Sequence, residues 1–111
     1  MVNNLRDRVG DASVGKRTLA VRFGPSFARL QYTLLLLSAF AVPAYSYVSI
    51  MASCTAQPWI ALCPLVVLPL GIVLIYTVWS TDGEALNPLL GKTAGLELVF
   101  CLLATVSFVF R

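Results

Sequence analysis

Charge is what this chain has least of, and it is missing from one place in particular. Between Arg29 and Asp82 there is no Asp, Glu, Lys or Arg. Over all 111 residues only 12% are charged, against 59% hydrophobic, where a water-soluble domain carries about 25% charged residues. A soluble fold cannot cover its surface with such a segment, so a soluble globular domain is excluded. Strand-period alternation is also absent, which argues against a membrane β-barrel. The first 29 residues are polar and basic and hold no apolar region of the kind a secretory signal peptide needs. No internal repeat or low-complexity tract is found. Cysteine is scarce and odd in number (Cys54, Cys63, Cys101), with no metal-ligand spacing. Cys63 and Cys101 sit inside apolar runs and read as small hydrophobes, so no metal or redox role is expected of them. A lipid bilayer, not a nucleic acid, is the partner this composition calls for.

What is present is apolar sequence in long runs. LQYTLLLLSAFAVPAYSYVSIM and PWIALCPLVVLPLGIVLIYTVW fill the uncharged gap, and TAGLELVFCLLATVSFVF is interrupted only by Glu97. A helix needs roughly 20 apolar residues to cross the hydrocarbon core. The expected fold is therefore all-α and transmembrane, with three membrane helices near 27–51, 58–79 and 92–110, behind a polar helix-loop over 1–25. Arg6, Arg8, Lys16, Arg17, Arg22 and Arg29 precede the first helix, and the Ala52–Gln57 link is uncharged. The next link returns to the original side with Asp82, Glu84 and Lys92, and Arg111 ends the chain on the other. Basic residues gather on the cytoplasmic face, so the opening stretch and the Ser80–Lys92 loop should both face the cytoplasm, or the stroma of a plastid, and contribute to one site.

Local signals refine this reading. Asn3 to about Ala12 suits a helix, with Gly10 and Gly15 as weak points or stops. Gly24-Pro25 and Asn87-Pro88 are turn signals, and Ser26 suits the N-cap of the first membrane helix. Pro43, Pro64 and Pro69 should kink the helices that hold them. Gly91 and Gly95 match G-x-x-x-G, which lets helices approach closely, although loop and cap glycines explain them as well. Glu97, an acid one turn inside a membrane helix, is costly and hence a functional candidate. Its structural alternative is to snorkel, or to pair with Lys92, Ser80 or the opening stretch.

The chemistry concentrates in NNLRDRVGDASVGKRTLAVRFG, Asn3 to Gly24. Asn3, Asp7 and Asp11 recur every four residues, which places them on one helix face about 6 Å apart along the axis. Two aspartates at this spacing repel unless a cation sits between them. Asp7 has no basic residue three or four positions away, and Asp11 has only Arg8. A solvated helix face would alternate signs, so the row suits a divalent cation. Magnesium takes one or two carboxylates and leaves its other positions to water and phosphates. Lys16 and Arg17, with Arg22 beyond, suit the rim of a diphosphate. A basic cluster before a membrane helix is also expected from orientation alone, and a module that binds anionic lipid headgroups would use the same residues.

The same string, in the form N-N-x-R-D-x-x-x-D-x-x-x-G-K-R-T-L-A-V-R-x-G, resembles the second aspartate-rich motif of the UbiA superfamily of intramembrane aromatic prenyltransferases. Its wording is most like the menaquinone-pathway branch, which prenylates 1,4-dihydroxy-2-naphthoate. LNPLLGKTAGLELVF (Leu86 to Phe100) resembles the last inter-helix loop and final helix of that branch. Family members have nine membrane helices and two facing aspartate-rich motifs; the first motif, N-D-x-x-D-x-x-x-D, occurs nowhere here. The resemblance thus implies the last three helices of a nine-helix bundle, incomplete and inactive by themselves. It implies a polyprenyl diphosphate held through Mg²⁺ by Asp7 and Asp11, with Asn3 or Asn4 assisting. Lys16 and Arg17, with Arg22, would stabilise the departing diphosphate, and Lys92 and Glu97 are further candidates. The allylic cation would be attacked by the aromatic ring, whose carboxylate leaves as CO₂. Tyr32, Tyr45, Tyr47, Tyr76 and Trp79 are candidates to steady that cation, or serve only as packing and interfacial anchors. A UbiA-type enzyme for a different aromatic acceptor is the alternative.

Overall fold

A computed structural model describes residues 2–53 and 58–110. Cys54, most of the expected Ala52–Gln57 link and the terminal Arg111 lie outside these residues. The described chain is helical, with no strand: α1 Val2–Arg6, α2 Arg8–Ser13, α3 Leu19–Ser53, a 3₁₀ stretch Pro58–Val67 leading into α4 Leu68–Ser80, a 3₁₀ turn Gly83–Leu86, and α5 Asn87–Phe110. Three stretches are long and apolar enough to cross a membrane: Leu19–Ala52, Trp59–Ser80 and Gly83–Phe110. The protein is all-α and transmembrane.

The start of the first membrane helix differs from the sequence expectation. Thr18, not Ser26, supplies the side-chain cap, its Oγ1 accepting the Val21 N–H at 3.3 Å. Inside α3 the sole residue with non-helical dihedrals is Gly24, at φ 85° and ψ 174°. Pro25 follows as a first helical residue. Proline has no N–H to leave unsatisfied there, and its ring forces the preceding residue into an extended conformation. A glycine takes the positive φ without a Cβ penalty. Gly24-Pro25 therefore hinges the Leu19–Phe23 turn against the membrane-crossing part. Pro43, expected to kink α3, is accommodated with helical dihedrals.

Prolines act more strongly in the second crossing. Pro58–Val67 is a 3₁₀ helix of 10 residues, far longer than the usual run of about four. Pro64 lies inside it and has no N–H for an α-type bond, whereas Pro69 sits in the first turn of α4, where none is needed. The tighter winding lengthens the segment. At about 2 Å per residue the 3₁₀ part covers about 20 Å and α4 covers about as much again, enough to span a hydrocarbon core of about 30 Å. The final helix starts at Asn87, not near residue 92, because Pro88 in its first turn is compatible with a helix start.

The buried core runs along the meeting line of the three crossings: Tyr32, Phe40, Val67, Leu74, Val78, Leu89 and Leu96. Phe40 packs edge-on against Phe100, with ring centroids 5.4 Å apart. The close helix approach is made by Gly71, where a Cβ would stand 2.8 Å from Phe40 Cε2 and 3.0 Å from Leu36 Cδ2. Gly91 and Gly95 have nothing within 4 Å of such a Cβ, so they mediate no close approach among the described residues. Leu34, Leu37, Val42, Ile72, Val73, Leu98 and Leu102 are exposed, as suits side chains that face lipid.

Candidate active site

The opening stretch folds onto one end of the bundle. Val2 and Leu5, one turn apart on α1, are buried in the common core and seat the helix. Asn3 and Asn4 stay exposed. The backbone turns at Asp7 (φ −86°, ψ 3°), yet i, i+4 bonding persists through it. Asp7 N–H donates to Asn3 O at 2.9 Å and Asp11 N–H to Asp7 O at 2.8 Å. Asn3, Asp7 and Asp11 thus rise in one row across the α1–α2 junction. The Asp7 side chain is 42% exposed and that of Asp11 only 12%.

Each carboxylate has a basic partner, at spacings other than the three or four that helix faces favour. Arg6 Nε and Nη2 donate to the two oxygens of Asp7 at 2.6 and 2.7 Å. Its remaining arm, Nη1, donates to Asn87 Oδ1 at 2.8 Å, tying the row to the start of α5. Lys16 Nζ donates to Asp11 Oδ1 at 3.1 Å, and its backbone N–H to Asp11 O at 2.9 Å. Lys16 therefore stands on the acid row instead of apart from it. Arg17 has no ion-pair or hydrogen-bond partner among the described residues and is exposed. Arg22 lies with its guanidinium carbon 5.8 Å from the Phe23 ring centroid.

Hydrogen bonding to Arg6, more than charge alone, holds the Asp7 carboxyl below its usual range. The sign gives an expected outcome. Arg6→Gln returns Asp7 towards the ordinary carboxylate pKa, so the acid limb of any Asp7-dependent activity moves to higher pH. A pH–rate profile with an unmoved acid limb counts against Asp7 as an essential ionised group.

The connector between α4 and α5 comes to the same end. Arg29, half-buried on α3, bonds Val78 O, Thr81 O and Asp82 Oδ1. The opening stretch meets this connector through the Arg6–Asn87 bond. Lys92 is exposed and makes no ion pair with Glu97. Ser80 bonds its own turn at Tyr76 O, 2.9 Å away. Neither residue pairs with Glu97, which instead lines a cavity.

That cavity, of about 400 Å³, opens between α3 and α5 with Val2 of α1 at its rim. Its walls are apolar except for Tyr32, Thr93 and Glu97. Thr93 Oγ1 donates to Leu89 O at 2.8 Å, so it accepts the Tyr32 hydroxyl at 3.0 Å. Of the five aromatic candidates Tyr32 lines the cavity. Tyr45 and Tyr76 are each 75% exposed, Tyr47 is half-buried, and Trp79 donates to Thr33 Oγ1 at 3.1 Å. The opening stretch thus carries a row of acids, each paired with one cation, and shares through Val2 an apolar cavity that holds the Tyr32 and Thr93 hydroxyls and the Glu97 carboxyl.

Among the described residues no group of three or more His, Cys, Asp or Glu side chains is placed to hold a metal ion. The carboxylates of the opening stretch that a metal would draw on are Asp7 and Asp11. Two carboxylates are what Mg²⁺ usually takes from protein before water and phosphate complete its shell, so the donor set fits that ion.

A comparison of the sequence settles the kinship. The profile described as the UbiA prenyltransferase family matches residues 1–108. The chain belongs to that family. It is also 33% identical over 103 residues to 1,4-dihydroxy-2-naphthoate octaprenyltransferase of Haemophilus influenzae, covering 92% of this chain and 32% of the relative. The chain therefore spans about a third of that relative's length. No solved structure matches it. Arg6, Asn87 and Arg29 make the bonds that tie Asp7 to α5 and α3 to the connector, and the sequence alone does not single them out. Arg6 lies inside the motif but at no helical spacing from an acid. Asn87 read only as a turn, and Arg29 only as one more positive charge.

Proposed function

We propose that this chain supplies one wall of an enzyme that moves a polyprenyl group from its diphosphate to 1,4-dihydroxy-2-naphthoate. The observation that carries the reading is the Asn3–Asp7–Asp11 row, with Arg6 on Asp7 and Lys16 on Asp11, in a stretch whose Val2 lines the cavity between α3 and α5. The naphthoate acceptor is favoured by the 33% identity to a protein of that name.

Asp7 and Asp11 would hold Mg²⁺, with Asn3 or Asn4 as a neutral oxygen donor beside them. Magnesium, when bound, supplies positive charge to the bridging oxygens of the diphosphate. Lys16, Arg17 and Arg22 hold the rest of the diphosphate, and the charge they face grows as the carbon–oxygen bond breaks. Cations fixed in advance stabilise that growth more than the ground state, which is what accelerates a reaction. The apolar wall of Leu36, Phe40 and Phe100 keeps water from the allylic cation, and the Tyr32 ring offers it a π face. The naphthoate ring attacks the cation, and the carboxylate at the attacked carbon leaves as CO₂ with its bonding pair returned to the ring. In this reading the acid row faces the cytoplasm or stroma, and the 111 residues alone are inactive because one acid row is half of the metal site.

The test is an assay of native membranes carrying the chain, with a polyprenyl diphosphate, Mg²⁺ and carboxyl-labelled 1,4-dihydroxy-2-naphthoate. Prenylated product with release of labelled CO₂ is expected. Transfer to 4-hydroxybenzoate in preference to the naphthoate would refute the acceptor and retain the family chemistry.

A further inference from the structure

Arg29 is the last charge before the uncharged segment, and its side chain is only 13% exposed. It crosses from α3 to the end of α4. Its Nε donates to Val78 O at 3.0 Å, and its Nη2 donates to Thr81 O at 3.3 Å and to Asp82 Oδ1 at 2.7 Å. The last carbonyls of a helix lack partners within it, and a cation there is favoured by the helix dipole. Capping accounts for the first two bonds. The third goes further, because Asp82 belongs to the connector and is itself exposed. From Asp82 to Asn87 only Leu86 is buried, and fully so, so the connector is anchored in the core at its far end by Leu86 and tied at its near end by the Arg29–Asp82 bond.

That path ends at Asn87, which accepts the free arm of Arg6, and Arg6 grips both oxygens of Asp7. A line of bonds thus runs from α3 through the connector and the start of α5 to the acid row. We propose that Arg29 is a positioning residue for this row: by holding the 81–86 connector it sets where Asn87 stands, and through Arg6 it orients the Asp7 carboxylate. Lysine cannot replace it, since a single ammonium does not form a planar fork to three acceptors. The inference rests on the proposed function in taking Asp7 as a metal ligand.

The experiment compares wild type with Arg29→Gln, Asn87→Ala and the double variant, each purified from native membranes together with the polypeptide that completes the metal site. Mn²⁺ binding in the presence of inorganic diphosphate is read by EPR, and prenyl transfer is read alongside it. Each single substitution is expected to weaken Mn²⁺ binding by on the order of tenfold, as loss of a charge-assisted bond in a network does. The double variant should be no weaker than the worse single one, because both act along one line. Should Arg29→Gln fail to insert, Asp82→Asn removes one bond and leaves the cap, and a smaller shift in Mn²⁺ binding is expected. Arg29→Lys should restore thermal stability more than Mn²⁺ affinity. Unshifted Mn²⁺ binding in Arg29→Gln or Asp82→Asn, or fully additive effects in the double variant, overturns the inference alone. Wild-type protein that binds no Mn²⁺ with diphosphate overturns the proposed function together with it.

Discussion

Asp7→Asn and Asp11→Asn should each lower Mg²⁺-dependent prenyl transfer by on the order of 10³-fold, with the three helices still inserted. The two parts of this expectation have separate causes. Asparagine keeps the size of aspartate and one oxygen but loses the charge that a hard divalent cation requires. The two residues stand one helical turn apart in a backbone-bonded row, so either variant removes one of the two carboxylate charges this row would offer a metal. Insertion is spared because α1 is seated by Val2 and Leu5, which are buried in the core. The ion pairs themselves contribute little to stability where side chains are exposed, as Lys16 and Asp7 are. Initial rates over a range of Mg²⁺ concentrations, in membranes with matched protein levels, make the measurement. Near-normal rates in both variants would sink the magnesium reading.

The double variant Lys16→Ala, Arg17→Ala should lose on the order of 10²-fold in kcat, with a much smaller change in KM for the polyprenyl diphosphate. A cation that meets charge growing on a leaving group acts on the transition state, so its loss falls on kcat. The structure divides the pair. Lys16 is engaged by Asp11 at 3.1 Å, whereas Arg17 has no such partner among the described residues. Arg17→Ala alone should therefore show the kcat loss in its simplest form. Lys16→Ala should also change the Mg²⁺ requirement, because it releases Asp11. Single-turnover rates separate these effects from product release. A double variant that raises KM and leaves kcat unchanged would assign the two cations to ground-state binding.

How much of this was legible in the sequence depends on the distance over which each signal acts. Gly24 and Pro25 announce a hinge because proline constrains its immediate neighbour. Asn3, Asp7 and Asp11 announce a row because helical bonding repeats every four residues. The partners of the two acids escaped the same reasoning. Arg6 is adjacent to Asp7, and Lys16 follows Asp11 by five residues, spacings that a regular helix does not bring together. The turn at Asp7 and the end of α2 at Ser13 make both contacts possible. Gly71 was overlooked for a related reason. G-x-x-x-G drew attention to Gly91 and Gly95, but which glycine meets a neighbour depends on how a helix is rotated, and Phe40 chose Gly71.

By itself the sequence determined that the chain crosses a membrane as helices. A segment with no charge from Arg29 to Asp82 must satisfy its backbone polar groups internally in lipid, and helices do so residue by residue. It also determined an acid row with cations behind it, since both are encoded by spacing along one short stretch. Only the tertiary structure decided what that row touches. The bonds from Arg29 to Asp82 and from Arg6 to Asn87 join residues 53 and 81 positions apart, and Tyr32 meets Thr93 across 61. Such pairs are set by how α3, α4 and α5 pack around Gly71 and Phe40, a matter of side-chain volume that no local pattern records.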